Sequence, residues 1–263
     1  MKPLFDMRAR ARCRDRAYWS GPVLFLHERA FSDILERLGE VRRSFRDALL
    51  VGSPDPGWPE RLAAIAAKVK VLDPGAAFAR AAGGQQVTEE AIDLEPASFE
   101  LIVAAGTLDT VNDLPGALLR LQLLLKPDSL LIGAVPGGDS LPALRRAMRA
   151  ADSVAGSASP HVHPRIEPAG FAQLLAAAGF LMPVVDVDRV EVAYPGLRAL
   201  VSDLRGMAAG NVLVERSRAP LGRAALAAAE AEFSRGAERT VERFEILHFA
   251  AWSPSPPAQA KEA

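Results

Sequence analysis

Acid side chains that close apolar runs are the first candidates for chemistry in this sequence. Asp73 ends the run Val69–Leu72 and precedes Pro74-Gly75; Asp109 and Asn112-Asp113 follow the run Phe99–Ala104; Asp139 follows Leu130–Val135 through Gly137-Gly138. A carboxylate in such a position can accept hydrogen bonds from a ligand, orient a substrate, or cap the next helix. Asp139 divides between the last two roles, as do Asn112 and Asp113. His161-Val-His163, set between Pro160 and Pro164, has the spacing of paired metal ligands. A zinc or iron site needs several converging ligands, and only His27, His248 and the single cysteine, Cys13, remain elsewhere. No metal is therefore expected; a histidine in such a loop can serve as a general base. The chain has no Gly-x-Ser-x-Gly elbow, Walker loop or Gly-x-Gly-x-x-Gly, which counts against hydrolase, nucleotidase and NAD chemistry.

These residues need elements to position them. Residues 28–38 have apolar side chains at helical spacing. Ala48–Val51 reads as a strand buried on both faces and closed by Gly52. Pro59 opens a helix expected to reach about Lys68, Val69–Leu72 is a second strand, and a weak third lies near Gln86–Thr88. Phe99–Ala104 is a central strand, after which Asp113 caps a helix with Pro115 in its first turn, running to Leu125. Leu130–Val135 is a strand, Leu141–Ala151 and Pro168–Ala178 are helices, and strands follow near Val184–Val192 and Glu245–Trp252. The mainly helical stretch Pro195–Gly236 lies between those last two, as a lid or partner-binding lobe. Strands alternating with helices in this way predict a doubly wound α/β sheet with right-handed crossovers. The expected organisation is an N-terminal helical segment over 1–46, an α/β domain over 47–252 with an insertion at about 195–236, and a Pro-rich disordered tail over 253–263.

Composition excludes some partners. With 31 basic against 32 acidic residues, no global field favours nucleic acid. No apolar run is long enough to span a bilayer, so a cytoplasmic protein without stable membrane insertion is expected. Arg8, Arg10, Arg12, Arg14 and Arg16 form an alternating series. On a helix Arg8, Arg12 and Arg16 share a face, either as solvated surface or as a dock for an acidic partner or anionic lipid.

Taken together, Phe99-Glu-Leu-Ile-Val103, Val111-Asn-Asp-Leu-Pro115, Leu125-Lys-Pro-Asp128, Ile132-Gly-Ala134, Gly137-Gly-Asp139, Ser159-Pro-His161, Ala178-Gly-Phe180, Tyr194-Pro-Gly196 and Asp203-Leu-x-Gly-Met207 resemble the class I methyltransferase superfamily. More narrowly, the chain resembles bacterial relatives of the mitochondrial complex I assembly factor with this fold, an arginine hydroxylase. The resemblance implies a Rossmann-like, seven-stranded sheet of order 3-2-1-4-5-7-6 with the last strand antiparallel. It implies S-adenosylmethionine as cofactor, with Asp73 on the ribose and Gly52, Thr88, Glu89 and Ala105 lining the pocket. Asp109, Asp139 and His161 are the substrate-side candidates. A protein side chain, on a respiratory-complex subunit, is the implied substrate.

The cofactor loops depart from the family pattern. Its first loop is normally acid-x-Gly-x-Gly-x-Gly; here the acid position is Leu50, and Pro54-Asp-Pro56 follow Gly52-Ser53. Each proline removes an amide donor and fixes φ. The adenine-side acid aligns with Thr88, beside Glu89, and a frequent His-Trp pair is Asp109-Thr110. Three readings stay open: a methyltransferase-family enzyme acting on a protein side chain by methylation or hydroxylation, a non-catalytic assembly protein that has lost the cofactor, and a carboxyl O-methyltransferase acting on an acyl-carrier protein.

Overall fold

The computed structural model describes residues 2–255. Helix α1 spans Met7–Ser20 and opens on Asp6, whose carboxylate accepts from the Ala9 amide at 2.9 Å. Gly21, at φ 89°, separates it from α2 (Phe25–Glu40), which buries Ala30, Phe31, Ile34 and Leu38 as the spacing predicts. The chain continues through β1 (Phe45–Val51), α3 (Trp58–Leu62), β2 (Ala66–Asp73), α4 (Ala76–Ala81), β3 (Gln85–Gln86) and β4 (Phe99–Ala105). Then follow α5 (Leu114–Leu124), β5 (Leu125–Pro136), α6 (Pro142–Ala155), α7 (Pro168–Ala177), β6 (Leu181–Tyr194), α8 (Leu197–Gly206), α9 (Arg223–Ser234) and β7 (Thr240–Trp252).

The strands form one sheet in the order β3-β2-β1-β4-β5-β7-β6. Strand β7 is antiparallel to both β5 and β6, and the remaining pairs are parallel. This is the topology that the family resemblance implies. Because side chains alternate across a strand, Leu49, Val51, Ile102 and Leu131 pack on the face covered by α5 and α7. Leu50, Leu101, Val103 and Ile132 pack on the face covered by α2 and α3. The insertion helices α8 and α9 pack with α6 around Tyr194 and Phe244, forming a third core beside β6 and β7.

Strands β6 and β7 are longer than the sequence expectation, at Leu181–Tyr194 and Thr240–Trp252, and β3 is Gln85–Gln86; two further differences change how elements join. The helix from Pro59 does not reach Lys68 but stops at Leu62, because β2 begins at Ala66, which pairs with Phe45 at the start of β1. A longer helix would leave β1 without its parallel partner and orphan its backbone groups. The second is the Lys126-Pro-Asp128 turn, which falls inside β5 rather than between helix and strand. The pairing slips from Phe99↔Leu125 to Leu101↔Leu130 there, and Asp128 takes φ 54°. Ser253, placed by sequence in the tail, is buried and donates its amide to the Ser129 carbonyl at 2.8 Å. Residues 256–263 of the expected tail lie outside the described residues.

Candidate functional site

In an open α/β sheet, ligands bind beyond the carboxyl ends of the strands. A cavity of about 1000 Å³, counting its open mouth, lies there. Its floor is Ala105-Gly106 of β4, Ala134–Pro136 of β5 and Phe244–Ile246 of β7. Its walls come from α2 (Leu26, His27, Ala30), from Trp58, and from Leu204 and Met207 at the end of α8. The surface is mostly apolar, and Arg10, Arg14, Asp109, Arg165 and Glu245 are its charged lining.

Gly52 sits beside this floor at φ 85°, and a Cβ there would lie 2.5 Å from the Ala105 carbonyl oxygen. Only glycine permits both the backbone angle and the approach. The first loop then turns through Ser53, whose hydroxyl donates to the Asp55 carbonyl at 2.9 Å, and the Asp55 carboxylate accepts from the Gly57 amide at 2.6 Å. Asp55 thus closes the loop on itself.

Asp73 is fully buried at the end of β2 and is saturated with donors. It accepts from the Ser53 amide at 2.9 Å, the Gly75 amide at 2.7 Å, and Nε and Nη2 of Arg14 at 2.7 and 2.5 Å. A carboxylate offers about four lone-pair positions, so none remains for a ribose. Glu89, 1% exposed, is held in the same bidentate way by Arg10, at 2.7 and 2.9 Å. Arg10 also donates to the Thr107 carbonyl and to Thr110 Oγ1, at 2.6 and 2.9 Å. Burial pulls the Arg10 guanidinium down, but Glu89, Asp109 and Asp73 outweigh it and leave its pKa raised.

Both arginines belong to α1, one turn apart. Their donors stand against the carboxylates where the resemblance places ribose and adenine. With α1 in place, the residues present do not fit S-adenosylmethionine. Thr88, with which the resemblance aligns the adenine-side acid, is the N-cap of a short 3₁₀ turn that begins at Glu89, and it makes no side-chain bond to that turn.

Of the substrate-side candidates, Asp109 alone lines the cavity. It is locked to the buried Arg165. Burial pushes its carboxyl up, but Arg165, His163 and Arg10 more than reverse this and hold it below the usual range. Asp139 lies outside the cavity, half exposed, paired with Arg243 at 2.7 Å. Nor does it cap α6: Leu141 holds the cap position, and the buried Glu242 carboxylate takes the Ala143 and Leu144 amides at 3.1 and 2.8 Å. His161 is also outside, bonded to Asp152 at 2.8 Å, while His163 Nε2 accepts from the Val212 amide at 3.0 Å. The two histidines face different partners. Asp113 does cap α5, accepting from the Gly116 amide at 3.0 Å.

Sequence reasoning missed Arg10, Arg14, His27, His163, Arg165 and Glu245 as site residues. Burial, reinforced by Arg14, lowers His27 to about 4; burial and Arg165 lower His163 to about 4. Glu245 is 3% exposed, accepts weakly from the Asp139 amide at 3.4 Å, and meets the exposed Arg189 at 3.3 Å.

With this geometry in hand, comparison with known proteins is informative. A family model described as a methyltransferase domain matches residues 25–182. The chain is 30% identical over 279 aligned positions to the mitochondrial arginine-hydroxylase NDUFAF5 of Danio rerio, covering 99% of this chain and 85% of that one. It covers 49% of the mouse protein of the same name, at 37% identity over 62% of this chain. A malonyl-[acyl-carrier protein] O-methyltransferase of Laribacter hongkongensis is 29% identical, over 68% of this chain and 59% of that one. Among solved structures, the YcgJ protein of Bacillus subtilis superposes with a TM-score of 0.57 at 10% identity, covering 86% of this chain and 99% of that one. That likeness concerns the fold.

Proposed function

This chain belongs to the S-adenosylmethionine-dependent methyltransferase family, and on that premise we propose that its rim cavity receives an arginine side chain of a protein partner, a respiratory-complex subunit. Arginine hydroxylation is the activity for which the zebrafish relative is named, and that relative matches along nearly the whole chain. The observation that carries the reading is the buried Glu245 carboxylate lining the cavity, whose cationic neighbour, Arg189, is exposed and 3.3 Å away. Leu141, Phe244, Ile246 and Met207 suit the three-methylene stem of an arginine. Glu245 suits its guanidinium better than Asp109, because its Arg189 partner is solvent-exposed and 3.3 Å away whereas Asp109 is held by the buried Arg165.

Calorimetric titration with N-acetyl-arginine-N-methylamide and its citrulline counterpart tests this. Arginine is expected to bind at least about tenfold tighter than citrulline, about 1.4 kcal/mol, and Glu245→Gln to erase the difference. Equal binding of both probes, or the same preference in Glu245→Gln, would count against it. One observation favours a second reading, a non-catalytic assembly protein: the chain itself fills every acceptor position of Asp73.

A further inference from the structure

We propose that helix α1 is a displaceable plug in the cofactor site, so that α1 docking and S-adenosyl ligand binding exclude each other. The inference rests on the family's placement of the cofactor at Asp73 and at Thr88 with its neighbour Glu89, and not on the arginine-binding reading of the cavity. Arg14 takes both oxygens of Asp73, and Arg10 takes both oxygens of Glu89. A ribose diol and an adenine amine need those same oxygens, so the ligand and the two guanidiniums compete for one set of acceptors.

What α1 buries shows why it can leave. Its own buried residues are Ala9, Arg10, Arg14 and Ala17; the large apolar anchor at its N-terminal end is Phe5, packed with Val212 and Leu213, so displacing the helix also releases the Leu4–Asp6 segment from Val212 and Val214. Helix α2, by contrast, drives Phe31, Ile34 and Leu38 into the core. Docking of α1 rests on desolvated ion pairs, whose attraction is largely offset by the cost of removing the charges from water. A ligand that supplies its own hydrogen bonds to Asp73 and Glu89 can replace them. The helix also has a hinge: Gly21 sits at φ 89° with open space where a Cβ would be, and Pro22 follows. Tyr18, packed edge-on to Phe78 at 5.5 Å, and Asp15, which accepts from the Ala77 amide at 2.8 Å, complete the contact with α4. Both lie on the hinge side and would part with the arginines.

The full-length chain tests this by calorimetry with S-adenosylhomocysteine and by hydrogen exchange across residues 7–20. Arg10→Gln/Arg14→Gln is expected to bind S-adenosylhomocysteine at least tenfold more tightly than the wild-type chain. In the wild type, saturating ligand is expected to speed exchange in α1. A second variant keeps both arginines: in Gly75→Ala the new Cβ would lie 2.7 Å from Arg14 Cβ, which pushes α1 away, and tighter binding by at least threefold is expected. Circular dichroism checks that each variant is folded, and Gly75→Ala decides if the double variant is not. Ligand binding with α1 protection unchanged or raised overturns the proposal, and so does binding by the folded variants no tighter than by the wild type. Neither outcome bears on whether the cavity accepts arginine, which the citrulline comparison reads separately.

Discussion

At Asp73 a single carboxylate ties together the first loop, the second loop and the N-terminal helix through Ser53, Gly75 and Arg14. Removing it leaves the Arg14 guanidinium, 6% exposed, without its counter-charge. Breaking one side of a buried pair costs about 3–5 kcal/mol. Asp73→Ala is therefore expected to lose stability of that order in urea unfolding without any ligand, and Arg14→Met in the same chain should restore part of it. A loss below about 0.5 kcal/mol, the ordinary size for a surface change, would show that Asp73 is not held by α1. Asp73 was legible in the sequence as a rim acid, because it sits where an apolar run meets a turn, and Glu89 only through the family resemblance, as the neighbour of Thr88. Their partners were not legible. Arg10 and Arg14 are also one helical turn apart, but attention falls on Arg8, Arg12 and Arg16, the face that proves exposed. Which arginine face turns inward depends on acids far along the chain, at separations of 59 and 79 residues.

Among the elements, those that bury both faces were legible from composition: β1, β4 and β5 are runs of aliphatic residues, and α2 has a clean apolar stripe. The α3–β2 boundary was not, since Ala63-Ala-Ile-Ala-Ala67 suits a helix by propensity and only pairing with β1 draws Ala66 and Ala67 into a strand. Packing between elements also decides what glycine does. Gly133 lies in β5 between β4 and β7, where a Cβ would sit 2.1 Å from the Ala104 carbonyl oxygen and 2.5 Å from Phe249 Cζ. Gly133→Ala is expected to cost about 1–3 kcal/mol, the range for an overpacked core. Gly39, in the last turn of α2 with open space around it, should behave oppositely. Gly39→Ala is expected to add up to about 1 kcal/mol by reducing the freedom of the unfolded chain. Paired chemical melts of the two variants check this, and shifts of the same sign would contradict the contrast.

The N-terminal segment, the loop between α6 and α7 and the stretch after α8 are joined across the molecule at one histidine, His163. His163 Nε2 accepts from the Val212 amide, while Val212 accepts from the Asp6 amide at 2.8 Å and Val214 donates to the Leu4 carbonyl at 2.9 Å. The Phe5 ring stands edge-on to His163 at 5.4 Å. An acceptor nitrogen cannot carry a proton, so the fold holds this imidazole neutral, and burial together with Arg165 lowers its pKa from 6.5 to about 4. The unfolded chain takes up the proton near pH 6.5 and the folded chain only near pH 4. The stability from His163 is therefore complete above pH 6.5 and declines as pH falls towards 4. From pH 7 to pH 5 the linkage amounts to about 2 kcal/mol. Asp109, whose carboxyl is held below its usual range, contributes a decline that starts only at lower pH. His163→Gln keeps an amide oxygen that can accept from Val212 but has no proton to gain. Urea unfolding at pH 7 and pH 5 should therefore show the wild type losing about 2 kcal/mol more than the variant over that interval. Equal losses in the two chains would mean that the acid sensitivity arises elsewhere, with His27, also lowered to about 4, the next group to replace.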